Sequence, residues 1–473
     1  MCSGNPPMKI CVLNGSPKGA ESVTMQYVRF LTLAYPSHTF AVEHVGQRIA
    51  AIEADEREFL RIIGAVASAD AVLFATPVYF MLVPAQLKRF IELVFCRNAA
   101  SAFAGKYAAA LTTSIHFFDH TAHAYLHAIA EDLGLNFAGS FSAHMEDLFS
   151  EGNQRNLLRF SDDLLDTVAR RPELQRLYGP PGGSQPPYRP GPVPLPFESG
   201  GKNVVILSDA DPGSNLEKMV SRAASCFGRA ASIVPLDEAG MKGGCLGCCR
   251  CAFDNTCVYK DGYRSFFEET VMQADILIFA GPIRDRYLSA KFKQVLDRSF
   301  YRGHVPSLEG KQVAFIIEGP LSHCCTLREI LSAYPVLQGA NPAGIVTDEG
   351  PTSAVIDARI EFLCGHCLRL SQSGYLAPGG FPVAGGHRIF RDEIWGNLRA
   401  VFQADHAYYK KHGRYDFPQN DLPRRIRTMF LSFLLSLPPV KKDAALQMKQ
   451  HMIRPFERIV AKSRVLEEHR RKG

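Results

Sequence analysis

The sequence has no apolar run that approaches the ~20 residues needed to span a bilayer. Its N-terminal stretch, MCSGNPPMKICVLNGSP, also has no hydrophobic region of the kind that signal peptides carry. We therefore expect no transmembrane segment and a cytoplasmic location. Thiols stay reduced in the cytoplasm, so clustering among the 13 cysteines indicates metal or redox chemistry rather than disulfides.

The common nucleotide-recognition signatures are missing as well. There is no G-K-[ST] of a P-loop, no G-x-G-x-x-G of a dinucleotide fold and no RNA-binding or zinc-finger pattern. The net charge of +6 is uneven, because residues 410–473 hold 16 Lys and Arg against six Asp and Glu. Such a basic tail could face nucleic acid, an anionic membrane or an acidic protein. A solvated helical face is the simpler prediction, and we expect no nucleic-acid partner.

What is present is an alternation of short apolar strands with amphipathic helices, which predicts an α/β fold with a doubly wound parallel sheet. A length of 473 residues is typical of two or three domains of about 150 residues each. The first domain has predicted strands at 9–14, 39–45, 71–75, 107–112 and 137–141, and predicted helices at 25–34, 55–67, 85–95, 122–133 and 153–170.

The alternation then restarts, and the second half repeats the first. Residues 69–92, ADAVLFATPVYFMLVPAQLKRFIE, align without a gap to residues 274–297, ADILIFAGPIRDRYLSAKFKQVLD. Between the copies, residues 172–200 are rich in Pro and Gly and predict a semi-rigid linker. The predicted domains are 1–171 and 201–375, each with a five-stranded sheet, followed by a basic helical extension at 376–473. Within that extension we expect helices at 394–409, 422–437 and 444–465.

The first strand leads into GSPKGAESVT, a loop with hydroxyls and a lysine that enters a helix. Backbone N–H groups, hydroxyls and the helix N-terminus make such a loop an anion site. Ligands in this kind of fold bind beyond the carboxyl ends of the strands. Two further loops reach that edge, at 76–80 and 112–120.

Residues 244–262, GCLGCCRCAFDNTCVYKDG, hold five cysteines. Cys245, Cys248, Cys251 and Cys257 read C-x2-C-x2-C-x5-C, and Cys249 falls outside this spacing. Four such thiolates suit a [4Fe–4S] cluster or a Zn²⁺ ion. The close triple favours the cluster, although a loop of buried or reactive thiols is the alternative.

These features resemble the flavodoxin-like NAD(P)H-dependent FMN reductases, and in particular the iron–sulfur flavoproteins. The resemblance covers residues 8–170 and 203–375. It implies bound FMN, with the phosphate and ring edge held by loop residues of the first copy. These are Gly15, Ser16, Pro17, Lys18, Ser22, Val23, Thr24, Pro77, Val78, Tyr79, Phe80, Thr113, Ser114, His116 and Phe117. His116, His120 and Tyr79 are the candidate catalytic residues.

The two copies divide these features between them. The second copy has Asp209 where the first has Gly15, a further carboxylate at Asp211, and Arg284 in place of Tyr79. Carboxylates oppose a phosphate, so we expect no FMN in the second copy. The resemblance then implies a fused pair with FMN in the first domain and the cluster in the second.

The predicted function is that of an oxidoreductase that passes electrons through the cluster to the flavin and on to a planar or quinone-like acceptor. NAD(P)H or ferredoxin would be the donor, and a homodimer is possible. The alternatives are a non-catalytic electron carrier, or an NAD(P)H-dependent FMN reductase whose second domain is metal-free or holds zinc. Cys324, Cys325, Cys364 and Cys367 are a weaker candidate for a second metal or redox site, and buried helical thiols are the default for the last two.

Overall fold

The computed structural model describes residues 6–183, 185–440 and 471. The described residues divide into two compact units, with the boundary between Tyr408 and Tyr409. The predicted helix at 444–465 lies outside the described residues.

The first copy is a parallel five-stranded sheet in the order β2-β1-β3-β4-β5. Its strands are β1 (Lys9–Asn14), β2 (Thr39–Glu43), β3 (Ala71–Pro77), β4 (Tyr107–Ser114) and β5 (Asn136–His144). Its helices are α1 (Val23–Ala34), α2 (Ile49–Ala54), α3 (Glu56–Ala67), α4 (Ala85–Cys96), α5 (Asp119–Asp132) and α6 (Glu151–Arg170). The central strand β3 is a buried apolar run because helices cover both faces of the sheet.

The second copy repeats this order. Its strands are β6 (Val204–Ser208), β7 (Ala231–Pro235), β8 (Ile276–Arg284), β9 (Tyr287–Leu288), β10 (Gln312–Glu318) and β11 (Asn341–Thr347). Its helices are α7 (Asn215–Phe227), α8 (Tyr263–Ser265), α9 (Ala290–Arg298), α10 (Cys325–Leu337) and α11 (Ser353–Ser373), with a π-helix at Phe266–Val271. The parallel order is β11-β10-β8-β6-β7.

The predicted α/β fold class, two flavodoxin-like sheets and a helical extension, is confirmed with one correction. The second sheet has six strands rather than five, because the two-residue β9 turns back and pairs antiparallel with the end of β8. The equivalent residues of the first copy form only a single bridge, between Tyr79 and Leu82. A two-residue strand gives no alternation pattern from which it could be predicted.

The two copies pack through equivalent helices, α4 and α9. The first N–H of each helix donates a hydrogen bond to a carboxylate of the other helix. Ala85 N donates to Asp297 Oδ2 at 2.8 Å, and Ala290 N donates to Glu92 Oε1 at 2.7 Å. Lys293 is fully buried and pairs with Asp297. Burial raises the pKa of Asp297 to about 6 and lowers the pKa of Lys293. Such reciprocal contacts characterise the interface of a twofold dimer, formed here inside one chain.

The linker is packed rather than free. Tyr188 is 1% exposed and belongs to the core of the second copy, where its hydroxyl donates to Asp357. Gly191 N also donates to Asp357, at 2.9 Å. Tyr188 and Gly191 of the linker therefore pack with the second copy. The predicted domain boundaries at 171 and 200 remain predictions.

The extension contains α12 (Gly380–Trp395), α13 (Gln403–Lys411) and α14 (Leu422–Ser436). The predicted single helix at 394–409 is wrong, because α12 ends at Trp395 and Gly396 leaves the helical conformation. The prediction for 422–437 is confirmed to within a residue. No helix in the described part of the chain is long and apolar enough to cross a membrane.

Candidate functional site

The loop between β1 and α1 presents hydroxyls at a helix N-terminus. Ser16, Ser22 and Thr24 are each no more than 3% exposed. Ser22 caps α1, its Oγ accepting from Met25 N at 3.2 Å. Val23 and Thr24 open the helix, where N–H groups have no helical acceptor. Lys18 is exposed beside the loop, so the arrangement suits a phosphate.

Two glycines allow the loop backbone to approach its neighbours closely. A Cβ on Gly15 would lie 2.5 Å from Leu87 Cδ2 and 2.7 Å from Thr76 Oγ1. A Cβ on Gly46 would lie 2.3 Å from Gly15 O. The backbone of Gly15 is thus held between β3 and the segment after β2, which fixes the floor of the loop.

The second loop turns sharply after β3. Phe80 and Met81 have φ angles of 45° and 66°, and the equivalent Asp285 and Arg286 have 46° and 64°. Both copies therefore keep the same turn, which ordinary residues adopt at a cost. Lys293 Nζ donates to Tyr79 O at 2.8 Å, so the second copy helps to hold this loop.

The third loop supplies a histidine held by a carboxylate. His116 Nδ1 lies 2.9 Å from Asp119 Oδ2, and Ser142 Oγ donates to the same carboxylate at 2.5 Å. Burial raises the pKa of Asp119, but the bonds from Ser142 and His116 outweigh it and the net shift is downward. Ser114 Oγ accepts from His116 N at 2.9 Å.

Phe117 and His120 turn away from this cluster. The Phe117 ring packs on Phe390 of α12, with centroids 4.5 Å apart. His120 Nε2 lies 2.8 Å from Glu329 Oε1, and both side chains are at least half exposed. Of the predicted third-loop residues, His116, Ser114 and Thr113 therefore stay together near the strand ends, where Thr113 Oγ1 lies 2.6 Å from Thr24 Oγ1.

The four histidines between residues 116 and 127 each have a separate partner. His123 Nε2 lies 2.5 Å from Thr112 Oγ1, and His127 Nε2 lies 2.9 Å from Glu131 Oε1. Burial lowers the pKa of both. They do not converge on a common point.

The cysteine loop of the second copy lies against the first copy's loops. Gln86 Nε2 donates to Cys245 O at 3.0 Å. A Cβ on Gly247 would lie 1.7 Å from Tyr79 Oη and 3.2 Å from Lys18 Cε. Burial raises the pKa of Tyr79 well above its usual value, and the charge of Cys245 adds to this. The structure thus brings together the two loops that the sequence placed in different domains.

The four predicted ligand thiols are neighbours, but they are not arranged around a metal. Burial raises the pKa of Cys251 to about 12, and the adjacent Cys248 and Cys257 add to this. Cys251 Sγ points to Phe300 O at 3.5 Å, and Cys245 Sγ accepts from Gly247 N at 3.4 Å. Within residues 6–183 and 185–440, no group of three His, Cys, Asp or Glu side chains could hold a metal ion. As placed, the thiols do not fit a cluster.

The weaker cysteine candidates are separated. Cys364 and Cys367 are buried in the core beneath α11, and Cys324 is buried while Cys325 is exposed. Cys226 of α7 lies beside Cys364, whose Sγ donates to Ala223 O at 3.8 Å. The default expectation of buried helical thiols describes Cys364 and Cys367.

In the second copy the anion position is filled by the protein itself. Asn215 N, at the start of α7, donates to Glu318 Oε1 at 3.1 Å, and Glu318 aligns with Thr113 of the first copy. Asn215 Nδ2 donates to Pro186 O of the linker at 2.9 Å. Asp211 pairs with Arg284 at 2.7 Å. A phosphate at this position would be repelled by the Glu318 carboxylate, which already accepts from the helix N–H group that a phosphate would need.

Several contributors had no signal in the sequence. Gly46 lies in an ordinary turn, and Asp119, Ser142 and Gln86 are common polar residues whose partners are remote in the chain. An alignment of the two copies does reveal the change from Thr113 to Glu318, with the same offset of 205 that relates Ala85 to Ala290.

Comparison with known families identifies the class of protein. The model of the NADPH-dependent FMN reductase family matches residues 8–143 and again residues 202–343, together more than half of the chain. The chain therefore belongs to the NADPH-dependent FMN reductase family, as a tandem duplication, and is a flavin-dependent oxidoreductase. The first copy's hydroxyl-lined loop fits the phosphate of FMN.

Solved structures align with about one copy at a time. An FMN-dependent NADH-azoreductase from Bacillus anthracis, in complex with FMN, is 13% identical and covers 34% of this chain and 99% of its own, with a TM-score of 0.27. A flavoenzyme NAD(P)H:(acceptor) oxidoreductase from Paracoccus denitrificans is 19% identical over 34% and 98%, with a TM-score of 0.26. No curated protein matches the chain.

Proposed function

We propose that the chain binds one FMN, in the first copy, and uses it to transfer electrons from NAD(P)H to a planar or quinone-like acceptor. The observation that carries the proposal is the contrast between the two helix N-termini. Thr113 contributes an uncharged hydroxyl beside Thr24 at the N-terminus of α1. At the equivalent position of the second copy, the Glu318 carboxylate accepts a hydrogen bond from the first N–H of α7.

The roles of the residues follow from their positions. Ser16, Ser22 and Thr24 would bind the phosphate, and the loops at 77–80 and 113–117 would border the flavin ring. FMN, when bound, supplies two-electron chemistry and can pass those electrons to an organic acceptor. His116, oriented by Asp119, would hold the proton that a reduced acceptor needs. Tyr79 and His120 remain weaker catalytic candidates, because the Tyr79 hydroxyl abuts Gly247 and His120 pairs with Glu329.

The direct test is flavin stoichiometry on purified protein, followed by NADPH oxidation with quinone and azo acceptors. One FMN per chain and acceptor-dependent NADPH oxidation are expected. Two FMN per chain would contradict our interpretation of Glu318. One FMN without turnover of any acceptor would favour the electron-carrier alternative.

A [4Fe–4S] cluster at Cys245, Cys248, Cys251 and Cys257 is the second candidate feature. Its support is the cysteine spacing and the contact of this loop with Tyr79 and Lys18. Because the thiols as placed do not fit a cluster, we derive no electron path through it. About four iron atoms per chain after anaerobic purification would establish it, and zinc or no metal would leave an FMN reductase with a second domain that packs against the first.

The remaining assignments are proposals of the same standing. Ferredoxin as an alternative donor is tested by substituting it for NADPH in the same assay. Homodimer formation is tested by sedimentation, and a cytoplasmic location by fractionation of the source cells. The internal α4–α9 pairing already uses the surface that would otherwise pair two subunits.

A further inference from the structure

Helix α14, Leu422–Ser436, carries an exposed apolar stripe. At about 100° per residue, positions 422, 426, 429, 430 and 433 share one side of the helix, and position 437 continues it. The exposed fractions are Leu422 58%, Ile426 54%, Met429 69%, Phe430 61%, Phe433 64% and Leu437 41%. Single exposed apolar residues are ordinary on a protein surface, but a continuous stripe of six is typical of an interaction site.

The other side of the helix is basic and polar. Arg424 and Arg427 lie on the far side from the stripe, with Thr428 and Ser432 between them and its edge, and the sequence also has leucines at positions 431 and 435 on that side. From Leu422 to Lys442 the sequence has five Lys and Arg and no Asp or Glu. The whole segment is therefore cationic, and its two phenylalanines, its isoleucine and its methionine all occupy stripe positions, whereas its leucines occur on both sides.

We propose that α14 is a membrane-surface helix that binds anionic lipid headgroups and lies in the plane of the bilayer interface. An amphipathic helix with Arg on its polar face and Phe and Leu on the other buries its apolar face at the headgroup boundary. Each basic residue near an anionic surface adds to the attraction. At 15 residues the helix is too short to span the ~20 residues of a bilayer crossing, so it lies on the surface.

Charge decides between lipid and a second copy of the same helix. A second copy of α14 would offer these basic residues no acidic partner, because there is no Asp or Glu between Leu422 and Lys442. A lipid surface instead supplies many anionic groups along the helix. It also accepts a broad apolar stripe without matching pockets.

The experiment is co-sedimentation of the full-length protein with vesicles of phosphatidylcholine alone or mixed with phosphatidylglycerol. We expect binding to the anionic vesicles that weakens with added salt, and little binding to the neutral ones. The double variant Phe430→Ser/Phe433→Ser should lower the partition coefficient at least tenfold. Arg424→Gln/Arg427→Gln should lower it by about tenfold on anionic vesicles only.

The matched control is Thr428→Ala/Ser432→Ala on the polar side of the same helix, which should bind like the unaltered protein. FMN content and thermal unfolding of each variant show that the main unit is intact, so loss of binding is not loss of fold. Absence of binding to anionic vesicles would overturn the proposal. So would binding that the phenylalanine variant leaves unchanged, or lipid-free self-association that it abolishes.

Discussion

Ser22 and Ser214 occupy the same position in two copies of one fold, and each caps a helix. Ser22 Oγ accepts from Met25 N at 3.2 Å, and Ser214 Oγ accepts from Glu217 N at 3.1 Å. Ser22→Ala and Ser214→Ala should each cost about 1 kcal/mol of unfolding free energy as lost caps. Only Ser22→Ala should also weaken FMN binding, by roughly tenfold or more, because a hydrogen bond to a charged group is worth about 1.5–3 kcal/mol. Flavin fluorescence titration measures the difference.

Each serine serves as the other's control, since the two changes remove the same atoms from equivalent caps. Equal loss of FMN affinity in both variants would mean that both copies bind flavin. Unchanged affinity in Ser22→Ala would place the phosphate elsewhere.

His116 is the histidine best held for proton transfer. Replacing it by glutamine keeps a polar side chain but removes the imidazole beside Asp119. General acid catalysis is worth about 100-fold or more, so acceptor reduction should slow by at least that factor. The rate of flavin reduction by NADPH and the FMN content should not change. Stopped-flow measurement of the two half-reactions separates these rates.

His120→Gln is the companion variant, because His120 lies four residues on and pairs with the exposed Glu329. It should retain most of the acceptor-reduction rate. A large loss in His120→Gln with none in His116→Gln would exchange the two assignments.

Among single residues, the sequence predicted those whose type is uncommon at such a position or in such a cluster. A Ser-rich loop after a strand and five clustered cysteines have few ordinary explanations. Gly46, Asp119 and Ser142 could not be predicted, because their importance comes from contact with Gly15 and His116 across the fold. Nor could the sequence show that the thiols of Cys245 and Cys251 bond to backbone groups instead of converging.

Helix α5 carries two partly buried histidines whose pKa values desolvation depresses, His123 and His127. A depressed pKa means that the unfolded chain binds the proton more readily than the folded chain. The associated stability is therefore present above pH 6.5, the ordinary histidine pKa, and is lost as pH falls below it. We expect the free energy of unfolding to fall by up to about 1.4 kcal/mol per pH unit for each proton taken up.

The variant His123→Gln should reduce the slope of unfolding free energy against pH by the contribution of one histidine. Denaturant unfolding at a series of pH values measures this slope. Gln retains a hydrogen-bonding partner for Thr112, which lies 2.5 Å from the His123 ring nitrogen. His38→Gln is the control, because that ring lies outside α5, is partly exposed and accepts from Met8 N at 3.1 Å. An unchanged slope in His123→Gln would show that burial does not depress the pKa of His123 in the folded protein.

Among the elements, strands and helices with strong periodicity were predicted to within a few residues. Helix α12 was missed because Gly379, Gly380, Gly385 and Gly386 lie at and within its first turns and suggest a loop. Gly386 has a tertiary reason to be there, since a Cβ would lie 2.6 Å from Phe117 Cε2. The packing of α12 on the third loop, and not local propensity, makes this segment a helix.

For the molecule as a whole, the sequence revealed the duplication but not which features of the two copies face one another. That pairing depends on α4 and α9, which are some two hundred residues apart and meet through buried charges. Because the pairing is reciprocal, it sets the cysteine loop of the second copy beside Tyr79 of the first. Divergence of the copies then left one site with hydroxyls and filled the other with Glu318.

If this internal interface holds the copies together, the covalent link between them should be dispensable after folding. A protease site inserted between Pro180 and Pro181, which are both exposed and precede the Tyr188 anchor, allows the folded chain to be cut. We expect the halves to stay associated and retain FMN, as followed by size-exclusion chromatography with flavin absorbance.

Adding Glu92→Lys should release them on cleavage, because it removes the acceptor of Ala290 N and places a third buried cation beside Lys88 and Lys293. Glu151→Lys, a charge reversal at a side chain 82% exposed, should have no such effect. Separation of the unaltered halves on cleavage would mean that the chain connection, and not the α4–α9 contact, maintains the pair.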